Sequence, residues 1–301
     1  AIALLAPRVV AGSGAFSNGS RSVLSFGGSS VTENAYYLDG FNVTNPLKYL
    51  GGVSLPYGAI DQQETYTGGY SASFGRSTGG VLNQLGKRGT NTWRFGFQTS
   101  WSPDALASPP KDLWYPDGAL PEGYSYTNDE KPGTLYRYRR DDKASRTTTS
   151  GYAGGPLIED RLFVYVSAEK DRTEGVATAN EAAAQQVRNH YTIDVPKFYG
   201  KIDWNINDNH KLEYTRLQHT DRSGGYYTSF DYKTLEEGER TGTFANTTKV
   251  RSTFDIFKYT GYLTDDLTLS AGWGRRQEPN LASNPQDSAS PYLRVPPRPA
   301  P

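Results

Sequence analysis

The segments that join the strands constrain this chain more than the strands themselves do. Alternating stretches mark strands at 92–101, 147–155, 161–172, 197–206, 210–220, 250–263 and 267–275. The connections between them run 45, 5, 24, 3, 29 and 3 residues, so long and short alternate without exception. The short ones, PLIED (156–160), NDN (207–209) and TDD (264–266), hold turn-forming residues. A soluble sandwich has no reason to gather its long loops at one end, whereas a membrane barrel has short turns on one side and long loops on the other. Strands of roughly 9 to 11 residues suit a tilted crossing of the hydrocarbon layer. The pattern predicts an all-β chain carrying a transmembrane β-barrel portion of about seven antiparallel strands.

The faces of the strands agree. In TWRFGFQTSW (92–101), Trp93, Phe95, Phe97 and Trp101 share one face, and Arg94, Gly96, Gln98 and Ser100 share the other. In 197–206, Phe198, Gly200, Ile202, Trp204 and Ile206 alternate with Lys197, Tyr199, Lys201, Asp203 and Asn205. The 22 Tyr, 12 Phe, 5 Trp and 32 Gly, with a mean hydropathy of −0.67, fit strands that are apolar on one face only. No apolar run approaches the roughly 18 to 20 residues of a membrane helix. The opening AIALLAP is short, follows no basic region and is broken by Pro7, so it is not read as a signal-peptide core.

Several chemistries are excluded. The 32 basic and 32 acidic residues cancel, which gives no reason to expect nucleic acid. There is no Cys for disulfides or thiolate ligands, and three histidines are too few for most metal or base-catalysed sites, so neither metal nor cofactor is expected. Gly75-Arg76-Ser77-Thr78-Gly79 has the spacing of a nucleophile elbow, but no apolar strand precedes Ser77 and no helix follows it. Gly80 to Gly86-Lys87 misses a phosphate-binding loop by one residue, and Arg88 stands where that loop needs Ser or Thr. The chain is therefore not expected to be an enzyme. The acidic pairs Asp141-Asp142, Glu236-Glu237 and Asp265-Asp266 are read as solvated loop charge. Tyr115, Tyr124, Tyr126, Tyr136, Tyr138, Tyr226 and Tyr227 all fall in long loops. Tyr combines rigid area with a polar tip, so these form either a ligand platform or the packing of the loops and the interfacial girdle.

Arithmetic sets the scale. Bacterial barrels close with an even number of strands and at least eight, and eight leave an interior filled by side chains. The Gly-, Ser- and Asn-rich residues 1–91 need a lumen of about 22 strands to sit inside one. The chain, which contains no Met, is accordingly expected to be a piece of a longer protein.

Three passages bring in a family. SFGGSSVTENAYYLDGFNVTNP (25–46) ends in a Y-x-DG-x-N-x-TNP signature, and LPYGAIDQQETYTGGYSASFGRSTGGVLNQLGKRGTN (55–91) carries GGY-x-A-x-FGRSTGGV-x-N and a K-x-GTN exit. GGPLIEDRLFVYVSAEKDRTEG (154–175) forms the hairpin after the first large loop. These resemble the plug and early barrel of TonB-dependent outer-membrane receptors, specifically the Oar-like branch, over about a third of the chain. The resemblance implies a truncated globular plug at 1–91, the first strands and extracellular loops of a 22-stranded barrel at 92–275, and a Pro-rich extracellular loop at 276–301. It implies residence in a Gram-negative outer membrane, with lipid as one partner. It also implies uptake of a scarce solute powered by the TonB complex, through a TonB box that this stretch does not contain. The ligand, whether small solute, peptide or glycan, would bind between plug apices and loops. Gly68, Gly69, Gly75, Gly79 and Gly80 are then plug-turn glycines that let backbone approach the wall. Arg76 and Lys87 are expected to pair with carboxylates of a polar inner wall. Two other readings stay open: a surface adhesion or scaffold protein of the Oar-like type, and a soluble secreted β-protein.

Overall fold

The computed structural model describes residues 2–12, 17–18, 21–45, 53–75, 77–117, 132–241, 247–278 and 280–283. Near the N-terminus β1 (Val9–Ala11) pairs with β4 (Leu24–Phe26), and β2 (Ser17–Asn18) pairs with β3 (Arg21–Ser22). Next comes a small mixed sheet of β5 (Ala35–Leu38), β6 (Phe41–Asn42), β7 (Ile60–Tyr66) and β8 (Val81–Gly86), in the order β6-β5-β8-β7. Its central pair, β5 and β8, is parallel. The β5–β6 link is the two-residue loop Asp39-Gly40, with φ of 50° and 81°. Positive φ at both positions is the tight hairpin turn for which Asp-Gly is suited.

The rest of the chain builds one long antiparallel sheet. β9 (Arg94–Ser102) is followed by the short pair β10 (Leu113–Trp114) and β11 (Leu135–Arg137). Then come β12 (Lys143–Ile158), β13 (Leu162–Thr178), β14 (Val187–Asn207), β15 (His210–Asp231), β16 (Glu236–Arg240), β17 (Thr247–Thr264), β18 (Leu267–Gln277) and β19 (Asn280–Ser283). The order is β18-β17-β15-β14-β13-β12-β9, with β16 beside β15 and β19 beside β17. All seven expected strands are present, each paired with its neighbour in sequence. Their upper ends run longer than the sequence suggests. Expected loop residues 173–178 and 187–196 continue β13 and β14, leaving 179–186 as the connection. The 173–178 extension lacks apolar-polar alternation, whereas Tyr191, Ile193 and Val195 alternate with Thr192 and Asp194 in the opposite phase to 197–206.

The sheet is inside-out by the standard of a soluble protein. On β14 Lys197, Tyr199, Lys201 and Asp203 are buried, while Phe198, Ile202 and Trp204 on the opposite face are 38–47% exposed. Phe95 and Phe97 of β9 are 82% and 76% exposed. Tyr214, Phe257 and Trp273 line up across β15, β17 and β18, with centroids 4.6 and 5.7 Å apart. Burying charge while exposing aromatics is unfavourable in water and favourable when lipid covers the outer face. No helix among the described residues is long and apolar enough to cross a membrane, and the crossing elements here are strands.

The small sheet packs against the polar inner face. Tyr36, Leu38, Val43, Leu55 and Ala59 share one buried cluster with Tyr165, Tyr199, Leu217, Phe254 and Ile256 of the wall. Burial of side chains such as Leu217 and Phe254 contributes about 1.5–3 kcal/mol each. Behind it, Ala35, Tyr37 and Val81 pack with Tyr66, Tyr70 and Phe74.

Candidate functional site

The candidate site is the seam between the small sheet and the wall. The Asp39-Gly40 turn sets the Asp39 carboxylate between the two. Its Oδ1 accepts from the Gly86 N–H at 2.9 Å, and its Oδ2 accepts from Lys201 Nζ at 2.9 Å. Lys201 has only 3% of its side chain exposed, so the pair is desolvated; removing one partner of such a pair costs on the order of 3–5 kcal/mol. Two residues earlier on the same face of β14, the Tyr199 hydroxyl donates to the Lys87 carbonyl at 3.2 Å. A Cβ at Gly86 would lie 2.0 Å from the Tyr199 hydroxyl oxygen, so only glycine fits there.

The residues after Lys87 are pinned along the wall's short-turn end. Arg88 Nη2 donates to Glu213 Oε1 at 3.0 Å. A Cβ on Gly89 would meet the Val164 and Gly155 carbonyl oxygens at 2.6 and 2.9 Å. Asn91 and Asp160 bond reciprocally: Asn91 Nδ2 donates to Asp160 Oδ1 at 2.5 Å, and Asp160 N–H donates to Asn91 Oδ1 at 2.9 Å. The GTN exit is thus explained by close backbone approach at Gly89 and a side-chain hook at Asn91.

Two further grips lie on the same inner face. Glu169 Oε2 accepts from the Tyr57 N–H at 2.7 Å, its Oε1 accepts from Lys197 Nζ at 2.6 Å, and Tyr165 donates to the Gly58 carbonyl. Arg276 donates to the Thr44 carbonyl at 2.7 Å and to Glu278, which also accepts from Asn45 Nδ2 at 3.3 Å. Charged wall groups therefore hold the inserted domain in three places, by backbone at Tyr57 and Thr44 and by the carboxylate of Asp39.

Comparisons with known proteins accord with this geometry. No family model matches the chain. In sequence it is 24% identical over 285 residues to the TonB-dependent transporter Oar of Myxococcus xanthus, covering 83% of this chain and 25% of that one. In structure it is similar to the outer membrane transporter YddB of Escherichia coli, with a TM-score of 0.56 and 16% identity, covering 85% of this chain and 33% of that one. It is also similar to the ferric enterobactin receptor PfeA of Pseudomonas aeruginosa, with a TM-score of 0.55 and 12% identity, covering 86% of this chain and 34% of that one. This is the plug-and-barrel fold of the TonB-dependent outer-membrane receptors. The chain spans about a quarter of the curated relative's length and about a third of each solved structure. The lipid-facing band is that of an outer-membrane protein, and the homologue is a transporter rather than an enzyme.

In this receptor fold the plug-turn glycines act differently from one another. Gly69 has a φ of 67°. A Cβ on Gly80 would meet the Phe26 ring at 2.2 Å, and one on Gly79 would meet Ser29 and Asn34 at 2.6 and 2.7 Å, so these two approach the plug's own core. Gly68 and Gly75 have open space around them. The close approach to the wall, expected at these five, is made by Gly86 and Gly89 instead. Ser77 Oγ lies 3.1 Å from the Glu33 and Gly80 carbonyl oxygens and from the Tyr70 hydroxyl, which ties the FGRSTGG loop down. Arg76 lies outside the described residues. The Lys87 ammonium faces the Tyr152 ring at 5.4 Å, while the Lys87 backbone N–H donates to the Ala59 carbonyl at 2.8 Å.

Of the seven tyrosines expected in long loops, Tyr136 lies in β11 and Tyr226 and Tyr227 lie in β15, because these strands pair beyond the alternating stretches, and Tyr124 and Tyr126 lie outside the described residues. Tyr115 meets Tyr136 edge-on at 5.1 Å, and the Tyr136 hydroxyl accepts from Asn180 at 2.8 Å. Tyr138 is buried, stacks on Phe230 at 5.5 Å and donates to Asp141 at 2.7 Å, a bond that, with burial, holds its phenol above the usual range. Beside it Arg188 donates to Glu237 at 3.0 Å, and His190, on the same side of β14, contacts the other Glu237 oxygen at 2.7 Å. Burial alone would raise the Glu237 carboxyl, but hydrogen bonds from Thr228, His190 and Arg188 outweigh it and hold the group below its ordinary value. Tyr226 stacks on His190 at 4.5 Å under Arg240 at 4.4 Å. By strand alternation Arg188, His190 and Tyr226 belong to the outer face, as Phe198 does. Tyr227, opposite Asn189, belongs to the inner face. A cavity of about 400 Å³ beside His190 and Tyr226, rimmed by Asp104, Lys143 and Glu174, therefore opens away from the lumen.

Sequence reasoning missed Asp39, Glu169, Lys201 and Arg276 as seam residues. The signal available was the DG turn inside the Y-x-DG-x-N motif and the inward-pointing charges of the alternating strands.

Proposed function

We propose that residues 1–91 are plug, that 92–275 are the first wall strands and loops of a TonB-dependent outer-membrane transporter, and that 276–301 belong to a loop on the extracellular side. In this reading the barrel takes up a scarce solute too large for porins, and the plug blocks the lumen until the inner-membrane TonB complex acts on it. One observation carries the reading: charged groups on the wall's inner face bind plug backbone at Tyr57 and Thr44 and the plug carboxylate Asp39. Such polar anchoring in a lipid-clad wall suits a domain that must stay seated and yet come away. Tyr227, on the inner face, serves as a ligand contact together with the exposed ring of Tyr57 at the plug surface. Tyr115, Tyr136, Tyr138 and Tyr226 brace the loops around the entrance. YddB is named a transporter and PfeA a ferric enterobactin receptor; the solute carried here is of the same broad kind, a molecule bound from outside.

The test is deletion of the plug through Asn91 in the complete receptor. Cells carrying the deleted barrel should become sensitive to vancomycin, which intact outer membranes exclude, while cells carrying the intact receptor stay resistant. Equal resistance in both would contradict a plugged lumen.

A further inference from the structure

Among the described residues of the seam, Asp203 is a buried carboxylate on which the cations Lys201 and Arg88 act without direct contact. It is 6% exposed, and neither carboxylate oxygen has a hydrogen-bond partner. Its cross-strand neighbour on the inner face is another carboxylate, Glu213. Glu213 is occupied by Arg88 at 3.0 Å, with Lys258 at 3.8 Å from its second oxygen. The buried ammonium nearest in sequence, Lys201, sits two residues earlier on the same face of β14. It is turned to the plug, 2.9 Å from Asp39, and stands 3.9 Å from Glu213.

Residues i and i+2 of a strand are separated by about 6.5–7 Å and point the same way. That is within reach of a lysine's four-carbon stem, so Lys201 has two sets of partners. One is on the plug, at Asp39; the other is on the wall, at Asp203 and Glu213. Leaving a buried carboxylate unpaired is unfavourable, and leaving a buried ammonium unpaired is equally so. In the docked state the first penalty is only partly relieved at Asp203, by Lys201 and Arg88 at a distance, and the second is avoided by Asp39.

We propose that Lys201 is a release latch, a lysine that leaves the plug carboxylate Asp39 for the wall carboxylates Asp203 and Glu213 when the plug moves. Resting on the transport reading above, it supplies what a movable plug requires: separation never strands the ammonium, and it satisfies Asp203. The wall is thereby biased toward release, and the Asp39 contact holds that bias in check. Lys201, Asp39 and Asp203 are positioning residues in this scheme and touch no solute.

The latch separates from simple electrostatic glue by the sign of one substitution. If the charges only glue the plug in place, every change loosens it. If Lys201 is shared, Asp39→Asn and Lys201→Met loosen the plug while Asp203→Asn tightens it. The measurement is amide hydrogen exchange at Gly86 and Lys87 in the complete receptor purified in detergent, with heat-modifiable gel migration reporting an intact barrel. Asp39→Asn and Lys201→Met should speed exchange by about tenfold or more, and Asp203→Asn should slow it by a comparable factor, the size expected for one buried carboxylate without a direct partner. Asp203→Ser substitutes where Asp203→Asn does not assemble. Faster or unchanged exchange on removing Asp203 would overturn the latch. Exchange is read without solute or TonB, so a failed latch leaves the transport reading standing, and a failed uptake assay leaves the latch standing.

Discussion

Gly86 shows at the scale of one residue how the seam is specified. The Tyr199 ring occupies the space a side chain would need, and its hydroxyl bonds the next carbonyl. Gly86→Ala should destabilise plug docking by about 1–3 kcal/mol through overpacking. Tyr199→Phe alone should cost about 1 kcal/mol for the lost hydrogen bond. Because the two share one contact, the double variant should be less than additive when urea release of the plug is followed by tryptophan fluorescence. At the loop end, Glu237 makes a pH prediction. Its carboxyl is held below its ordinary value, so its stabilisation is fully present above that value and is lost as pH falls through the lower folded value. Exchange of the β16 amides should be unchanged at neutral pH and rise below about 4.5, and Glu237→Gln should abolish that rise.

At the scale of elements, the strands were legible wherever lipid and lumen impose opposite demands on alternate residues. Phe198, Ile202 and Trp204 face one way and Lys197, Tyr199 and Lys201 the other, and the alternation in sequence is the alternation in space. Above the membrane both faces meet water or loops. Residues 173–178 therefore carry no period-two signal, and Tyr191, Ile193 and Val195 put their apolar side on the inner face instead, yet both stretches form strand because β13 and β14 continue to pair. Turn chemistry was equally readable: short connections at Asp160, Asp208-Asn209 and Asp265-Asp266 close the hairpins where expected. The lipid face predicts a depth-dependent penalty. Phe257→Lys, in the Tyr214–Phe257–Trp273 row, should cost about 2–4 kcal/mol in folding into bilayers, while Lys258→Gln, one residue on and facing inward, should cost far less. Equal costs would mean that the outer face is not against lipid.

At the scale of the molecule, the seam was the part the sequence concealed. Asp39 and Lys201 are 162 positions apart, and nothing local announces their pairing. The family motifs marked the right segments, since the DG turn, Gly86 and the GTN exit all lie in them. They did not tell which glycine meets the wall and which meets the plug's own core. Composition bounded the chemistry but could not say which face of the wall was buried. That orientation, polar side in against the plug and aromatic side out toward lipid, is the central claim. These 301 residues contain no cysteine, so single-cysteine spin labels can be placed along 197–206 in the complete receptor embedded in membranes once any cysteine elsewhere in it is replaced. Labels at Phe198→Cys, Ile202→Cys and Trp204→Cys should be relaxed by lipid-soluble oxygen and not by an aqueous nickel chelate. Labels at Lys197→Cys, Tyr199→Cys and Lys201→Cys should be shielded from both, and should meet the chelate once the plug is deleted. Chelate access at the first set, or at the second with the plug in place, would contradict the account.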